Sequence, residues 1–386
     1  MAGKNHNLTS AKRAKNDEFY TQLTDIEKEL VHYKDFLRGK IVFCNCDDPR
    51  WSNFWKYFHL NFSHIGLKKL IATHYDAEQT TYMLEYEGGN DANIEEGKET
   101  PLQQNGDFRS PECIKLLQEA DVVVTNPPFS LFREYVAQLM EYGKKFIIIG
   151  NKNAVTYKEI FPLIKNNQLW FGPSITSGDR EFGVPDGVEL TFKNPRIDEH
   201  GHRYVRVPGV HWFTNVDHSV RHEPLTLFRR YYDDPSLYPH YDNYDAINVD
   251  KTADIPCDYF EAMGVPITFL DKYCPDQFDV IGATESEGRG FSNGLYRQTD
   301  RQTDRQRNLS FTDSGATNGC SSDARCNGII GVPITFLDKY CPEQFEIIGL
   351  DRYVEDNPNY GHRFRIGGRE IYARILIRRK DERGIA

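Results

Sequence analysis

The chain has 386 residues, with 57 acidic side chains against 47 basic ones and a formal net charge of −10. Its length fits one large or two moderate domains, and a hydrophobic fraction of 39% with 24 Phe and 22 Tyr excludes wholesale disorder. The acidic balance argues against indiscriminate nucleic-acid binding but leaves room for a local basic cleft. Aliphatic runs such as Phe146–Ile149 are far too short to cross a bilayer. Residues 1–19 carry no apolar core of the kind a secretory signal needs. Eight cysteines without a CxxC pair indicate neither a zinc ribbon nor a disulfide framework. A soluble, cytoplasmic chain with reduced thiols, without metal or membrane attachment, is expected.

In chain order, Thr24-Asp-Ile-Glu27 fits a capping box ahead of an apolar-periodic helix through Leu30 and Phe36. Gly39 ends that helix, and Ile41–Phe43 starts a buried strand. Pro49 opens a helical pattern through Trp51, Phe54, Trp55 and Phe58, and Leu70–His74 reads as the next strand. Ser110-Pro111-Glu112 is a helix start with Pro at the first helical position. It leads to the strand Asp121–Thr125, a helix over Leu131–Tyr142 and the strand Lys145–Ile149. Strands apolar on both faces and separated by helices predict an α/β, doubly wound, mainly parallel sheet. From about residue 167 the pattern turns to strands between Gly, Pro and Asn turns: Val188–Phe192, Tyr204–Val207 and Val210–Phe213. Arg363–Ile366, Gly367-Gly368 and Ile371–Ile377 read as a hairpin. This second half is expected to be mostly antiparallel.

An internal repeat stands out. GVPITFLDKYCPDQFDVIG at 264–282 recurs as GVPITFLDKYCPEQFEIIG at 331–349, differing only at Asp276/Glu343, Asp279/Glu346 and Val280/Ile347. Between the copies lies a polar stretch with the tandem Arg297-Gln-Thr-Asp300 and Arg301-Gln-Thr-Asp304, expected to be poorly ordered. The expected organisation is a catalytic domain at 1–165, the rest of the sheet with a recognition region at 166–282, a linker at 283–330, and the duplicated segment with its hairpin at 331–386.

Four polar clusters follow predicted strands: Asn45-Cys-Asp-Asp48, His74-Tyr-Asp76, Asn126-Pro-Pro-Phe129 and Gly150-Asn-Lys-Asn153. In open parallel sheets ligands bind outside the carboxyl ends of the strands, so this edge is the expected active site. The sharpest cluster is Asn126, Pro127, Pro128 and Phe129. Paired prolines fix the backbone and remove two N–H donors, so the Asn126 side-chain oxygen and the Pro127 carbonyl are placed to accept both hydrogens of a planar amine. Phe129 is placed to stack on the ring carrying that amine. Such an arrangement suits methyl transfer to an exocyclic amino nitrogen. The paired histidines His202/His211 and His218/His222 lack the pattern of metal ligands.

Asp121–Ser130 resembles the catalytic motif of amino-group methyltransferases that use S-adenosylmethionine. With KNDEFYTQLTDIEKEL, VFCNCDDPRWSNFWKYF, GDFRSPECIKLL, VTNPPFSLFREYV and GVHWFTN, the chain resembles the EcoRI-type adenine-specific DNA methyltransferase family over most of 15–282 and again over 331–380. The resemblance implies a class I, Rossmann-like methyltransferase. It would be site-specific for DNA, transferring a methyl group from S-adenosylmethionine to N6 of a flipped-out adenine. It would act as a monomer in restriction-modification, beside a separately acting restriction endonuclease. It also implies roles by position. Phe19, Tyr20 and Thr21 would close over the cofactor's methionine end, with Asn45 and Asp47 beneath it. Asp76 would bind the ribose hydroxyls, and Asp107 with Phe108 the cofactor's adenine. Asn45-Cys-Asp47 departs from the commoner glycine-rich loop. Motif order puts DNA recognition C-terminal, with Arg180, Arg203 and Arg206 as candidates, and the basic segment GHRFRIGGREIYARILIRRK is a further candidate to border DNA. Alternatives are amino methylation of RNA or of a protein glutamine, or a catalytically silent DNA-binding protein. Both tails after the repeat resemble endings in the family. The chain therefore reads as two alternative endings joined through the shared segment, one copy filling the native packing slot and the other extruded or loosely docked.

Overall fold

The computed structural model describes residues 20–46, 48–76, 80–157, 159–176, 179–184, 195–242, 244–283, 294–298, 329–332, 345–350, 365–370 and 374–379. They fall in two compact units, one of 1–154 with 168–221 and one of 155–167 with 222–386.

The first unit opens with β1 (Tyr20–Thr21) and α1 (Leu23–Leu30), followed by β2 (Ile41–Cys44), α2 (Asn53–Leu60) and β3 (Lys69–Thr73). Then come β4 (Tyr82–Tyr86), β5 (Lys98–Pro101), α3 (Pro111–Glu119), β6 (Val122–Thr125), α4 (Phe132–Glu141) and β7 (Lys145–Asn151). The unit closes with β8 (Trp170–Phe171), β9 (Arg180–Val184), β10 (Arg196–Ile197), β11 (Arg203–Val207) and β12 (Val210–Thr214). Eight strands make one mixed sheet in the order β5-β4-β3-β2-β6-β7-β12-β8. The four central strands, β3, β2, β6 and β7, run parallel, while β4, β5, β12 and β8 pair antiparallel at the two flanks. The class is mixed α/β, and the mainly parallel expectation describes the centre only. From β2 the chain builds outward to β3 and then returns to the opposite side at β6. That reversal makes the carboxyl ends of β2 and β6 a topological switch point, where such sheets leave a crevice.

Local rules explain several elements. Ser110 Oγ accepts from the Cys113 N–H at 3.2 Å and Pro111 fills the first turn of α3. Thr24 does not cap α1: the helix begins at Leu23, two residues earlier than a Thr24 cap would start it, behind Gln22, which makes no side-chain cap bond. The cause is tertiary, since β1 is held against β9 through Tyr20↔Gly183 and Thr21↔Phe182. Pro49 does not open α2 either. Trp51 and Ser52 donate to the Asp48 carbonyl in a turn, and Ser52 Oγ caps the helix at the Phe54 N–H, 3.2 Å away. The periodic stretch from Val31 to Leu37 continues as a 3-10 turn and one short helical turn. The predicted strand 188–192 lies outside the described residues.

The core packs Phe54, Trp55 and Phe58 of α2 with Ile26, Leu30 and Tyr33, Val42 and Val122 of the sheet, and Trp212 of β12. Trp55 Nε1 donates to the Ile94 carbonyl at 3.1 Å. His59 bonds the Asp91 and Glu96 carbonyls and stacks 3.8 Å from Tyr86, pinning the β4–β5 connection.

Within this core Glu29 is fully buried. Its Oε1 accepts from the Tyr33 hydroxyl at 2.8 Å and its Oε2 from the Ser174 N–H at 3.0 Å. Burial pushes its carboxyl from 4.5 up to about 7, against the lowering effect of those bonds. A carboxyl with a raised native pKa holds its proton more tightly in the folded chain. Its contribution to stability is therefore complete below pH 4.5 and is lost as pH rises through about 7. Glu29→Gln is expected to flatten the fall in denaturation midpoint between pH 5 and 8. A wild-type slope retained in the variant would contradict this.

The second unit contains α5 (Phe161–Lys165), β13 (His240–Tyr241), β14 (Tyr244–Asn248), β15 (Met263–Pro266) and β16 (Phe278–Ala283). Strands β17 (Gly294–Gln298), β18 (Ile329–Val332), β19 (Phe345–Leu350), β20 (Arg365–Ile366), β21 (Arg369–Glu370) and β22 (Arg374–Arg379) complete it. Its main sheet has the order β13-β14-β15-β22-β16, and β18-β17-β19 form a separate sheet. The predicted hairpin is present in shorter form. Arg365 and Ile366 pair with Glu370 and Arg369 about Gly367 and Gly368, whose φ values of 55° and 74° suit a two-residue turn. The continuation, β22, leaves the hairpin for the main sheet. Most of the expected linker lies outside the described residues, and within it Gly294–Gln298 is a strand.

Candidate active site

Because β2 and β6 are hydrogen-bonded neighbours, with Val42 opposite Val122 and Phe43 opposite Val123, their carboxyl ends present Asn45 and Asn126 side by side. Asn45 and Asn126 are both buried, as is Pro127, while Pro128 and Phe129 are partly exposed. The Pro128 carbonyl accepts from the Leu131 N–H at 2.9 Å, starting the 3-10 turn Phe129–Leu131 that runs into α4. Phe129 packs against the core cluster and is partly buried.

Helix α4 reaches back across this crevice. Tyr135, fully buried, donates its hydroxyl to Asn45 Oδ1 in a short hydrogen bond, and its ring meets Phe108 edge-on at 5.0 Å. One side chain thus ties the loop after β2 to the segment before α3. That segment also lies against the end of β3. The Asp76 N–H donates to the Asn105 carbonyl at 3.0 Å. Gly106 has φ +73°, and a Cβ there would fall 1.9 Å from the His74 carbonyl oxygen, so only glycine permits the approach. Asp76, Asp107 and Phe108 are thereby gathered on one side of the crevice and Asn45 and Asn126 on the other.

Asp107 is not an open acceptor. Its Oδ1 takes the Arg109 N–H and Nε–H at 2.8 and 2.9 Å, and its Oδ2 takes Nη2 at 2.7 Å. These bonds hold its carboxyl below the usual range. Arg109 continues to Glu134 on α4 at 3.0 Å and lies 5.1 Å from the Phe108 ring centroid. Asp107 therefore stays ionised and aimed, and Oδ2, with one donor against the two on Oδ1, keeps lone-pair capacity for a further donor.

On the β3 side, Asp48 Oδ1 accepts from the Tyr82 hydroxyl at 2.6 Å and Oδ2 lies 3.8 Å from His74 Nε2. Arg50 covers the Tyr82 ring at 4.4 Å and pairs with Glu99 at 2.9 Å. Burial holds the His74 imidazole below its usual range. Thr21 Oγ1 and Thr125 Oγ1 are among the buried hydroxyl oxygens that have no partner among the described residues. Thr21 sits on β1, and Thr125 immediately precedes Asn126.

The fourth cluster closes a turn. Asn151 Nδ2 donates to the Pro208 carbonyl at 3.2 Å and Asn151 Oδ1 accepts from the Asn153 N–H, closing β7 onto the turn before β12. Phe19 and Asp47 lie outside the described residues. Tyr82, Tyr135 and Arg109 carry much of the site's hydrogen bonding but gave no sequence signal of their own. Tyr135 reads as one apolar position of an amphipathic helix, and Tyr82 lies on an unpredicted flanking strand.

The three arginines are separated. Strands β9 and β11 pair with Val207 opposite Arg180, Arg206 opposite Glu181 and Arg203 opposite Val184, so Arg180 and Arg203 share the face of buried Phe182, Val205 and Val207. Arg180 Nε lies 4.0 Å from Asp25 Oδ1. Arg206 is on the other face, exposed, 3.9 Å from Glu181. Arg196 joins it there, bound to Glu181 at 2.7 Å and lying 4.1 Å from the Tyr204 ring centroid. The histidines are likewise dispersed. His202 meets Asp198 at 3.1 Å, His218 Nε2 the Phe171 carbonyl at 3.2 Å, and His222 meets Asp276 at 2.7 Å.

Comparisons with known proteins identify the chain's relatives. The profile of the family described as "Adenine-specific methyltransferase EcoRI" matches residues 7–325 and, in a second match, 321–380. The Type II methyltransferase M.EcoRI of Escherichia coli is 50% identical over 286 residues, covering 71% of this chain and 88% of that protein. M.MpnI of Mycoplasma pneumoniae is 42% identical over 281 residues, 72% of this chain and 85% of that one. M.MgeORF184P of Mycoplasma genitalium is 37% identical over 280 residues, with 72% and 86% coverage. No solved structure matches. Each match includes one copy of the internal repeat, and the chain belongs to the EcoRI family of adenine-specific methyltransferases.

Proposed function

We propose that the protein methylates N6 of adenine in duplex DNA at a specific site, with S-adenosylmethionine as donor, in a restriction-modification setting. The observation that carries the reading is the buried Asn126-Pro127 pair at the switch point, with Phe129 half-exposed beside it. The parallel centre of the sheet and its reversal at β2 support the doubly wound, class I arrangement. An adenine stacked within a duplex is out of reach of such a pocket, so the base is flipped out.

In this reading Asn126 Oδ1 and the Pro127 carbonyl accept the two amino hydrogens, and Phe129 stacks on the purine. The Pro128 carbonyl is already used in the turn, which leaves Pro127 as the backbone acceptor. Holding both hydrogens directs the nitrogen lone pair away from them and opposes its delocalisation into the ring. As the C–N bond formed and the donor's methyl–sulfur bond broke, the amino group would become cationic, losing one proton afterwards to give N6-methyladenine. The two acceptors then bind its protons more strongly than in the ground state, which is where the acceleration arises.

The donor, when bound, supplies an electrophilic methyl group on a sulfonium sulfur. The residues present fit it. Thr21 Oγ1 is a buried hydroxyl without a partner among the described residues, suited to the polar amino-acid end, with Tyr20 beside it. Asp76 suits a ribose diol, and ionised Asp107 with the Phe108 wall suits an aminopurine. Asn45, Phe19 and Asp47 complete the set by family position. Arg180, Arg203 and Arg206 remain the proposed DNA contacts, the exposed face carrying Arg206 with Arg196. We extend the proposal to a cytoplasmic monomer beside a separately acting endonuclease.

Tyr135→Phe tests the site's bracing. Loss of the hydroxyl frees Asn45 and is expected to weaken S-adenosylhomocysteine binding about tenfold by calorimetry, roughly 1.4 kcal/mol, with the melting temperature changed by only a few degrees. Unchanged affinity would remove Tyr135 from the cofactor's support. The function itself is tested by offering labelled S-adenosylmethionine with duplex DNA, RNA and protein in parallel. Label is expected in DNA alone; label confined to RNA or protein would overturn the reading.

A further inference from the structure

Two strand pairings in the second unit coincide position by position. Strand β22 lies antiparallel between β15 and β16 of the first repeat copy. Ile375 is opposite Val265 and Ala283, Leu376 opposite Gly264 and Gly282, and Ile377 opposite Met263 and Val280, with the register slipping between Val280 and Gly282. Strand β17 lies antiparallel between β18 and β19 of the second copy. Gly294 is opposite Val332 and Leu350, Leu295 opposite Gly331 and Gly349, and Tyr296 opposite Ile330 and Ile347, with the slip at the equivalent place. Translated through the repeat, Gly294-Leu-Tyr-Arg-Gln298 occupies the second frame in the same register as Ile375-Leu-Ile-Arg-Arg379 occupies the first. Leu and Arg stand at equal positions in both. The connectivity is crossed. The strand that follows the first copy fills the second frame, and the strand that ends the chain fills the first.

We propose that each repeat copy is a two-stranded frame for one inserted strand, and that β17 and β22 are interchangeable occupants within the same chain. The frame recognises an antiparallel segment chiefly through main-chain hydrogen bonds, which depend on register more than on side-chain identity. The shared bulge fixes that register. The choice between occupants follows from composition. Glycine weakens a strand interior, and β22 carries β-branched Ile375 where β17 carries Gly294. The first frame therefore prefers β22, which is also led there by Asp242. Its Oδ1 and Oδ2 accept from the Gly367 and Gly368 N–H groups at 3.1 and 2.7 Å. With β22 disabled, β17 takes its place, as its position just after the first copy allows. The duplication thus carries a spare for a strand that the main sheet cannot do without.

The test uses the full-length chain and proline, which removes a ladder N–H whatever the side chain. Hydrogen exchange is followed in peptides from 263–266 and 278–283, whose sequences differ from those of the second copy. Leu295→Pro and Leu376→Pro singly are expected to change protection there by less than about tenfold, and the double variant to lower it by at least about 100-fold. In the Leu376→Pro background, Val265→Cys with Gly294→Cys is expected to form a disulfide within one chain, identified by mass spectrometry. Leu376→Pro alone exposing both segments as fully as the double variant would overturn the proposal. So would a protected double variant, absence of the cross-link, or a cross-link found only between chains. None of these readouts depends on methyl transfer, so the outcome is separable from that of the proposed activity.

Discussion

Asn126→Ala is expected to lower the rate of methyl transfer about 10²–10³-fold, or roughly 3–4 kcal/mol of transition-state stabilisation. The side chain is buried at the carboxyl end of β6, and in the proposed site its oxygen meets an amino hydrogen whose positive charge grows as the C–N bond forms. The interaction strengthens on the way to the transition state, so the loss should fall on kcat rather than on KM. Asn126→Asp keeps an acceptor oxygen in place and should retain more activity than the alanine variant. Alanine at this loop position is expected to change stability by no more than about 1 kcal/mol, so a matched denaturation curve separates chemistry from folding. An alanine variant within a few-fold of the wild-type rate would remove Asn126 from the reaction.

The largest expected loss of stability is at Trp212. Its side chain is fully buried on β12, where it pairs with Ile149 of β7 and meets Phe54 of α2 edge-on at 6.1 Å. Gly172 makes room for it: a Cβ there would stand 2.7 Å from the Trp212 Cβ and 1.9 Å from Glu29 Oε1. Trp212→Ala should cost about 3–5 kcal/mol, from lost transfer energy and an incompletely collapsed cavity. The melting temperature should fall by roughly 10 °C. Trp212→Phe should cost far less than its change in volume suggests. Trp212 Nε1 is buried without a partner among the described residues, and removing an unpaired donor recovers part of the desolvation penalty. Equal losses for the two variants would contradict the packing described.

Much of the site was legible because its signals are local. Ser110-Pro111 announces α3 through capping chemistry that needs only four residues, and Asn126-Pro-Pro-Phe129 announces itself through the backbone restriction of its prolines. Strands β2, β3, β6 and β7 were readable as apolar runs because both faces of a parallel sheet are buried. What was not legible depends on partners far along the chain. Thr24 looks like a cap until β1 is seen held on β9, fixing where α1 begins. Strands β4 and β5 escaped because they mix charged and apolar residues, with Glu85 facing Lys98 across the pair. Tyr135, Tyr82 and Arg109 act through contacts with Asn45, Asp48 and Glu134, which no spacing rule connects. The arginines illustrate the converse. Arg203 and Arg206 are close in sequence, yet their odd separation sends them to opposite faces of β11. The placement of β22 between β15 and β16 could not have been read from the repeat alone, because adjacency in sequence favours β17.

In the proposed reaction Asn126 and Pro127 hold an adenine amino group for methylation. Duplex DNA containing every short site can be incubated with the protein and S-adenosylmethionine, digested to nucleosides and resolved by mass spectrometry. N6-methyladenine is expected as the methylated nucleoside, and it should fall about 10²–10³-fold with Asn126→Ala. Methyl groups found on cytosine or on a ring nitrogen of adenine, or N6-methyladenine formed at the wild-type rate by the alanine variant, would contradict it.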